Sequence, residues 1–585
     1  RPCRSIFREI RFPLFDSAYS VPLFLFTQYI PKSRRLYING SKNNAPNQEI
    51  PRHIIFHPFC IFLLIFPALC VIMDTSETIR KNSERAEKNM VHLTPIPETE
   101  TTSDLYAITV NGTPALAYAA RVSAMPFNTP WRGHQRPLDQ TEETAFLCLC
   151  ADEPVTVAVS PVRPVSDATV RPLSAGISPK RQGSAFLITL PGPGQYVFEG
   201  DNFHHALHIF VDPVREALPA KEGRTWIRYA PGVHHIGHTV IGSHTTVIIE
   251  RGAVVYGSIT AYGEEDILLC GGGILDGSEE IRTDDDRLLP CDYHAQLPGD
   301  REAFFAFLKQ RRVLHGCLRL YRCRNVRVQD LVLRDSATFA MIPAQCENLE
   351  IDGIKTIGMW RYNADGIDLF NCRNVVIRNC FLRNFDDCVV IKGICGWDDW
   401  NNENILTEKC VVFCDWGRGL ELGAETNAPE YRNIIFRDCD LIHGSTIHLD
   451  IQHHNRAYIH HILFENIRIE YNRHQLSEMI QERDEDVYTD TGALRQPMLI
   501  AIPIYDMGLF SEDGLHGRVS DVLFRNIGIY TDGCLQKPVI QLNGLSPECT
   551  VSRVQIENIT LNGKRLGETD TDLHIGPFTS DISFR

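Results

Sequence analysis

The sequence predicts an all-β protein in which a long solenoid of stacked coils follows a small β-sandwich. Segments that open on Asn or an equivalent residue and continue with alternating apolar positions recur at Asn325, Asn348, Asn374, Asn404, Asn433 and His461, at intervals of 23, 26, 30, 29 and 28 residues. Asp521 and Arg553 continue the series after 60 and 32 residues, as two coils and then one. A repeat of that length, built from short β-branched strands and turn residues, reads as one solenoid coil per period. The cysteines keep the same phase. Cys323, Cys346 and Cys372 lie two residues before the anchor, and Cys380, Cys410 and Cys439 lie six after it, so both sets are expected to stack inside as ladders of small apolar groups.

The elements follow in chain order. Residues 1–52 carry nine Lys/Arg against three Asp/Glu, and residues 54–72 contain no charged side chain. Residues 1–72 therefore read either as upstream frame carried along by conceptual translation, with starts at Met73 or Met90, or as an export or anchor segment. Residues 73–103 are a linker. Across 104–215, alternating runs at 107–110, 155–159, 185–190 and 206–210 are separated by Gly, Pro and Asp turns, which predicts the β-sandwich. The solenoid occupies 216–585, with its first coils near Val233. The charged stretch 279–312 breaks the period and is read as a lid or rim insertion.

With 43% hydrophobic and 22% charged residues, the 585-residue chain can bury a substantial core. A formal charge of −15 works against nucleic acid as the main partner. Nothing in the solenoid calls for a membrane partner. Nineteen cysteines with no CxxC pair suggest neither zinc nor a disulfide framework. Free thiols favour a reducing compartment, so the expected location is cytoplasmic. No cofactor or metal is expected.

Chemistry enters where the repeat carries clustered carboxylates. Asp365 in Asn363-Ala364-Asp365-Gly366-Ile367-Asp368 stands 21 residues before Asp386 in Asp386-Asp387-Cys388. One coil at its tightest is about that long, so Asp365 should lie over the Asp386-Asp387 pair, about 4.8 Å along the axis. Like charges at that range cannot all ionise freely, which provides a protonated acid beside an ionised base. Asp368 reads instead as part of an Asn/Asp turn ladder.

Together with Gly417-Arg418-Gly419-Leu420-Glu421, these segments resemble the three ordered motifs of the polygalacturonase family, glycoside hydrolase family 28, over about residues 230–565. The resemblance implies a right-handed parallel β-helix and an inverting glycosidase acting on an oligo- or polysaccharide. It makes Asp386 the general acid, and Asp365 with Asp387 the pair that activates water. Two departures bear on the substrate. Arg418 stands where the family has a His, and His448-Leu449-Asp450 stands where the family's Arg-Ile-Lys grips a uronic carboxylate. A carboxylate at Asp450 would repel such a sugar, so either Arg418, Arg361 or Arg456 takes over that role or the sugar is neutral, and the neutral reading is preferred. Asn363, Glu421 and His448 are further candidates for contact with substrate. Trp360, Trp397, Trp400 and Trp416 flank the motifs as candidate stacking platforms, with ordinary loop packing as the alternative for each. His453 and His454 are expected beside the same cleft. A β-helix lyase using Ca²⁺ and Arg418 as base, and a non-catalytic glycan-binding solenoid, are the competing readings.

Overall fold

A computed structural model describes residues 91–124, 138, 141–216, 222–280, 316–361, 363–394, 397–472, 496–506 and 514–585. Residues 1–90, with the segment 54–72, lie outside the described residues, as does most of the expected insertion at 279–312.

Two sheets make the sandwich. One runs in the order Thr113–Ala115, Tyr106–Val110, Val155–Pro161, Ala185–Leu190 and Lys180–Gln182. The other is centred on Thr141–Cys150 and Leu207–Asp212, which pair in parallel. Thr141–Cys150 is apolar on both faces for a reason. Ala145, Leu147 and Leu149 enter the core between the two sheets, while Phe146 and Cys148 point the opposite way, onto the helix.

From Thr225–Tyr229 to Thr579–Phe584, 31 strands join a continuous, almost wholly parallel array in which each strand pairs with its counterpart on the next coil. This is a parallel β-helix, and it starts before Val233 and ends beyond residue 565. Its first parallel pair, Thr225–Tyr229 with Thr245–Ile249, is short and mostly exposed on one side, a weak signal in sequence.

The repeat anchors are the coil corners. Asn325, Asn348, Asn374, Asn404 and Asn433 all adopt left-handed backbone, with φ between 55° and 58°, a conformation in which Asn is enriched among non-glycine residues. Their amides form a ladder: Asn348 Nδ2 donates to Asn325 Oδ1 (2.9 Å), and Asn374, Asn404 and Asn433 each donate to the Asn one coil before. The thiol ladders are also present. All six cysteines are buried and free, and the thiols of Cys380, Cys410 and Cys439 each donate to the backbone carbonyl two residues before, at Arg378, Glu408 and Arg437.

The sandwich packs against one of the three helix faces, where Phe210, Phe203 and Val197 meet Ile357, Phe381 and Phe413. The strands Ile367–Phe370, Val389–Gly393, Arg418–Thr426 and Ile447–Ile451 form a different face. They send Ile367, Leu369, Val389, Ile391, Leu420, Leu422, Leu449 and Ile451 into the helix core. Strand alternation then aims Asp368, Val390, Glu421 and Asp450, which sit in register on successive coils, away from that core. No helix of the described residues is long and apolar enough to cross a membrane.

Candidate active site

The three motifs occupy the same corner of three successive coils, each just before its strand on that face. Gly366 N–H donates to the Asp387 carbonyl (2.8 Å) and Asp386 N–H to the Ala364 carbonyl (3.3 Å). Cys388 N–H donates to the Arg418 carbonyl (3.0 Å). Asp365 thus lies over Asp386-Asp387, which lie over Gly417-Arg418. The glycines make this stacking possible. A Cβ on Gly417 would come within 2.6 Å of Asp386 Oδ1 and of the Asp387 backbone nitrogen, and one on Gly366 within 2.3 Å of the Cys388 carbonyl oxygen.

Two cations face these carboxylates. Lys392 Nζ, on Val389–Gly393, lies 2.9 Å from both Asp365 Oδ2 and Asp368 Oδ2. Arg418 lies 3.7 Å from Asp387 and 3.6 Å from Asp450, and its backbone N–H donates to Asp387 Oδ1 (2.9 Å). Burial pushes the Asp365 carboxyl up to about 7; Lys392 pulls against that rise and Asp387 adds to it. Burial, Asp387 and Asp365 together drive Asp386 well above the usual carboxylate range. Burial and Asp387 do the same to Glu421, and burial raises Asp450 to about 7 against the pull of Arg418. Burial opposes charge on both cations but is outweighed, by Asp365, Asp368 and Glu425 at Lys392 and by Glu421, Asp387 and Asp450 at Arg418. Both stay charged. The corner therefore holds acidic protons beside fixed positive charge.

Other expected residues fall differently. Trp360 is buried and donates its indole N–H to Asp335 Oδ1 (2.9 Å), so it offers no face to a sugar. Trp397 is fully buried and stacked on Tyr321. Arg361 is buried and paired with Asp335 at 3.4 Å. His448 is fully buried, edge-on to Tyr471, and burial lowers its pKa to about 3, so it is a neutral packing residue. These four were read as substrate contacts because they neighbour the motifs in sequence, but each turns into the body of the protein. Trp400 lies under the Arg373 guanidinium. Trp416 remains half-buried, stacked parallel on Phe385 (5.3 Å). Asn363 is half-buried at the corner, with left-handed backbone. His453 is buried and hydrogen-bonded to Thr426 Oγ1 (2.7 Å), while His454 stacks on Tyr505. Glu421 and Asp450 sit in register on neighbouring strands.

Sequence reasoning missed Lys392 and Tyr505. Lys392 lies four residues after Cys388, and the parallel register of its strand with Ile367–Phe370 would have placed it beside that carboxylate row. Tyr505 is 39% exposed, and it feels the charges of Asp450 and Arg418. It follows the strand Met498–Pro503. Among the described residues, no three His, Cys, Asp or Glu side chains converge as metal ligands.

Comparison with known proteins gives a consistent frame. Residues 306–486 match the family model for glycosyl hydrolases family 28. A rhamnogalacturonase B of Aspergillus niger is 27% identical over 149 residues, 26% of this chain and 25% of its own length. Exopolygalacturonase X-1 of Emericella nidulans is 28% identical over 167 residues, 28% of this chain and 32% of its own. The chain thus spans about a quarter to a third of these relatives' lengths. Among solved structures, the family 28 exopolygalacturonase of Yersinia enterocolitica superposes with a TM-score of 0.41 at 12% identity, covering 74% of this chain and 95% of its own.

Proposed function

We propose, from the match of residues 306–486 to the family model for glycosyl hydrolases family 28, that this chain cleaves O-glycosidic bonds of a poly- or oligosaccharide with inversion at the anomeric carbon. Asp386 gives its proton to the leaving glycosidic oxygen as the bond to the anomeric carbon breaks. A water held by Asp365 and Asp387 forms the new C–O bond from the opposite face and passes its proton to one of them. One water is added across the bond, and exchange with solvent restores both groups.

The observation that carries this reading is the backbone-locked stack of Asp365 over Asp386-Asp387, in which crowding and burial raise the Asp386 carboxyl well above the usual carboxylate range and so favour its acid form. Elimination is disfavoured because Arg418, held charged by its carboxylate neighbours, has no lone pair with which to act as base. The test is the anomeric configuration of fresh product, followed by NMR on a defined oligosaccharide. Inversion is expected; retention would defeat the single-displacement scheme.

A further inference from the structure

Glu421 is an acid of the motif corner that the hydrolytic scheme leaves without a role. It is fully buried, so it offers no atom to a sugar and the contact with substrate expected of it does not arise. Its strand, Arg418–Thr426, sends Leu420 and Leu422 into the helix core. Alternation turns Glu421 the other way, in register with Val390 on the coil before and Asp450 on the coil after. There its carboxyl comes within hydrogen-bond reach of the Asp387 carboxyl. Neither Glu421 oxygen is met by an N–H or a hydroxyl among the described residues. Two ionised carboxyls are both acceptors, so this contact is a hydrogen bond only when one of the pair keeps a proton. The charged groups that face Glu421 are Asp387, Asp450 and Arg418, and the Tyr431 phenol also lies within range of its charge. Burial and the two carboxylates favour a proton on Glu421, and Arg418 opposes it. Asp387 Oδ1, in turn, already accepts the Arg418 backbone N–H (2.9 Å), a bond that suits an ionised carboxylate.

We propose that Glu421 keeps its proton and donates it in a hydrogen bond to Asp387, acting as a positioning residue for the carboxylate that holds the attacking water. This rests on the hydrolase reading above and deepens it. The proton does not leave Glu421 during the reaction. With one lone pair of Asp387 engaged by Glu421 and another by the Arg418 N–H, the direction of those left for the water is set.

The test uses the full chain and compares Glu421→Met with Glu421→Gln on one defined oligosaccharide. Methionine cannot donate to Asp387, so kcat should fall about tenfold or more with KM unchanged. The glutamine amide still donates and should restore most of that loss. A glutamine variant as impaired as the methionine one would overturn the proposal, as would a methionine variant with full kcat or a loss confined to KM. The pH profile separates positioning from packing. Asp386 and Glu421 must both hold a proton, so the alkaline limb of the wild type should fall more steeply than that of Glu421→Gln, in which only Asp386 is left to titrate. Identical limbs would contradict the assignment. Infrared difference spectra of the wild type against Glu421→Gln give a readout that needs no turnover. The C=O stretch of a protonated carboxyl should be present at neutral pH and lost in the variant; its absence from the wild type would overturn this inference while leaving the hydrolase standing. A wild type that shows the band but cleaves no glycan would defeat the hydrolase reading and, with it, the positioning role. If Glu421→Met does not fold, the glutamine profile and spectrum decide.

Discussion

The β-helix buries carboxylates on two faces, and their surroundings give them opposite characters. Where the sandwich docks, they are met by basic side chains. Glu199 receives Arg171 Nε at 2.6 Å and His443 Nε2 at 2.6 Å, and the other arm of Arg171 reaches Glu470. Asp212 receives Lys355 and Arg251, and Arg334 joins Glu100 and Asp276. At the motif corner, carboxyl groups outnumber cations by seven to two. Burial raises both sets. At Glu199 the pull of Arg171 and His443 wins, and the group is held well below the carboxylate range. At Asp386 the neighbours are themselves acidic, and the group is driven up. Burial thus makes an ion pair on one face and an acid on the other. Glu470 marks the boundary: with only part of Arg171 to itself, it rises to about 7.

The largest expected effect separates the faces by activity. Asp365→Asn or Asp387→Asn should lower kcat by on the order of 10²–10⁴-fold, as steady-state assays on a cleaved glycan would register. Calorimetry should show Tm unchanged or higher, because each change relieves repulsion. The docking face should behave in the opposite sense. Arg171→Met strands Glu199 and Glu470 without their shared cation, which should cost about 3–5 kcal/mol while the folded fraction keeps its kcat.

How far these two faces were legible in the sequence differs for physical reasons. The helix was legible because its corners demand left-handed residues, which put Asn325, Asn348, Asn374, Asn404 and Asn433 at a countable spacing. The acidic corner was legible because one coil separates Asp365 from Asp386. Lys392 was not, since a charge on a strand says nothing of the neighbouring strand until the register is known. Trp360, Trp397, Arg361 and His448 were misread for the same reason, proximity in sequence having stood in for orientation. The docking pairs join residues as far apart as Arg171 and Glu470, and nothing local announces them.

A smaller effect concerns pH. A base must be ionised, so with Asp365 near 7, kcat should rise about tenfold per pH unit below that value and level off above it. Lys392→Met removes the group that holds Asp365 down, so the rising limb should move to higher pH by about a unit or more; an unmoved limb would assign it to another group. The smallest effect distinguishes the tryptophans. Trp416→Ala should raise KM a few-fold with kcat largely kept, whereas Trp360→Phe, inside the protein, should leave KM unchanged.

The contrast between the faces meets its most direct test in Asp386→Asn, with kcat and Tm measured on the same preparation. If the motif corner is chemical and the docking face structural, kcat falls by about 10² or more while Tm holds or rises. Retained activity, or a fall in Tm as large as that of Arg171→Met with kcat preserved, would contradict the account.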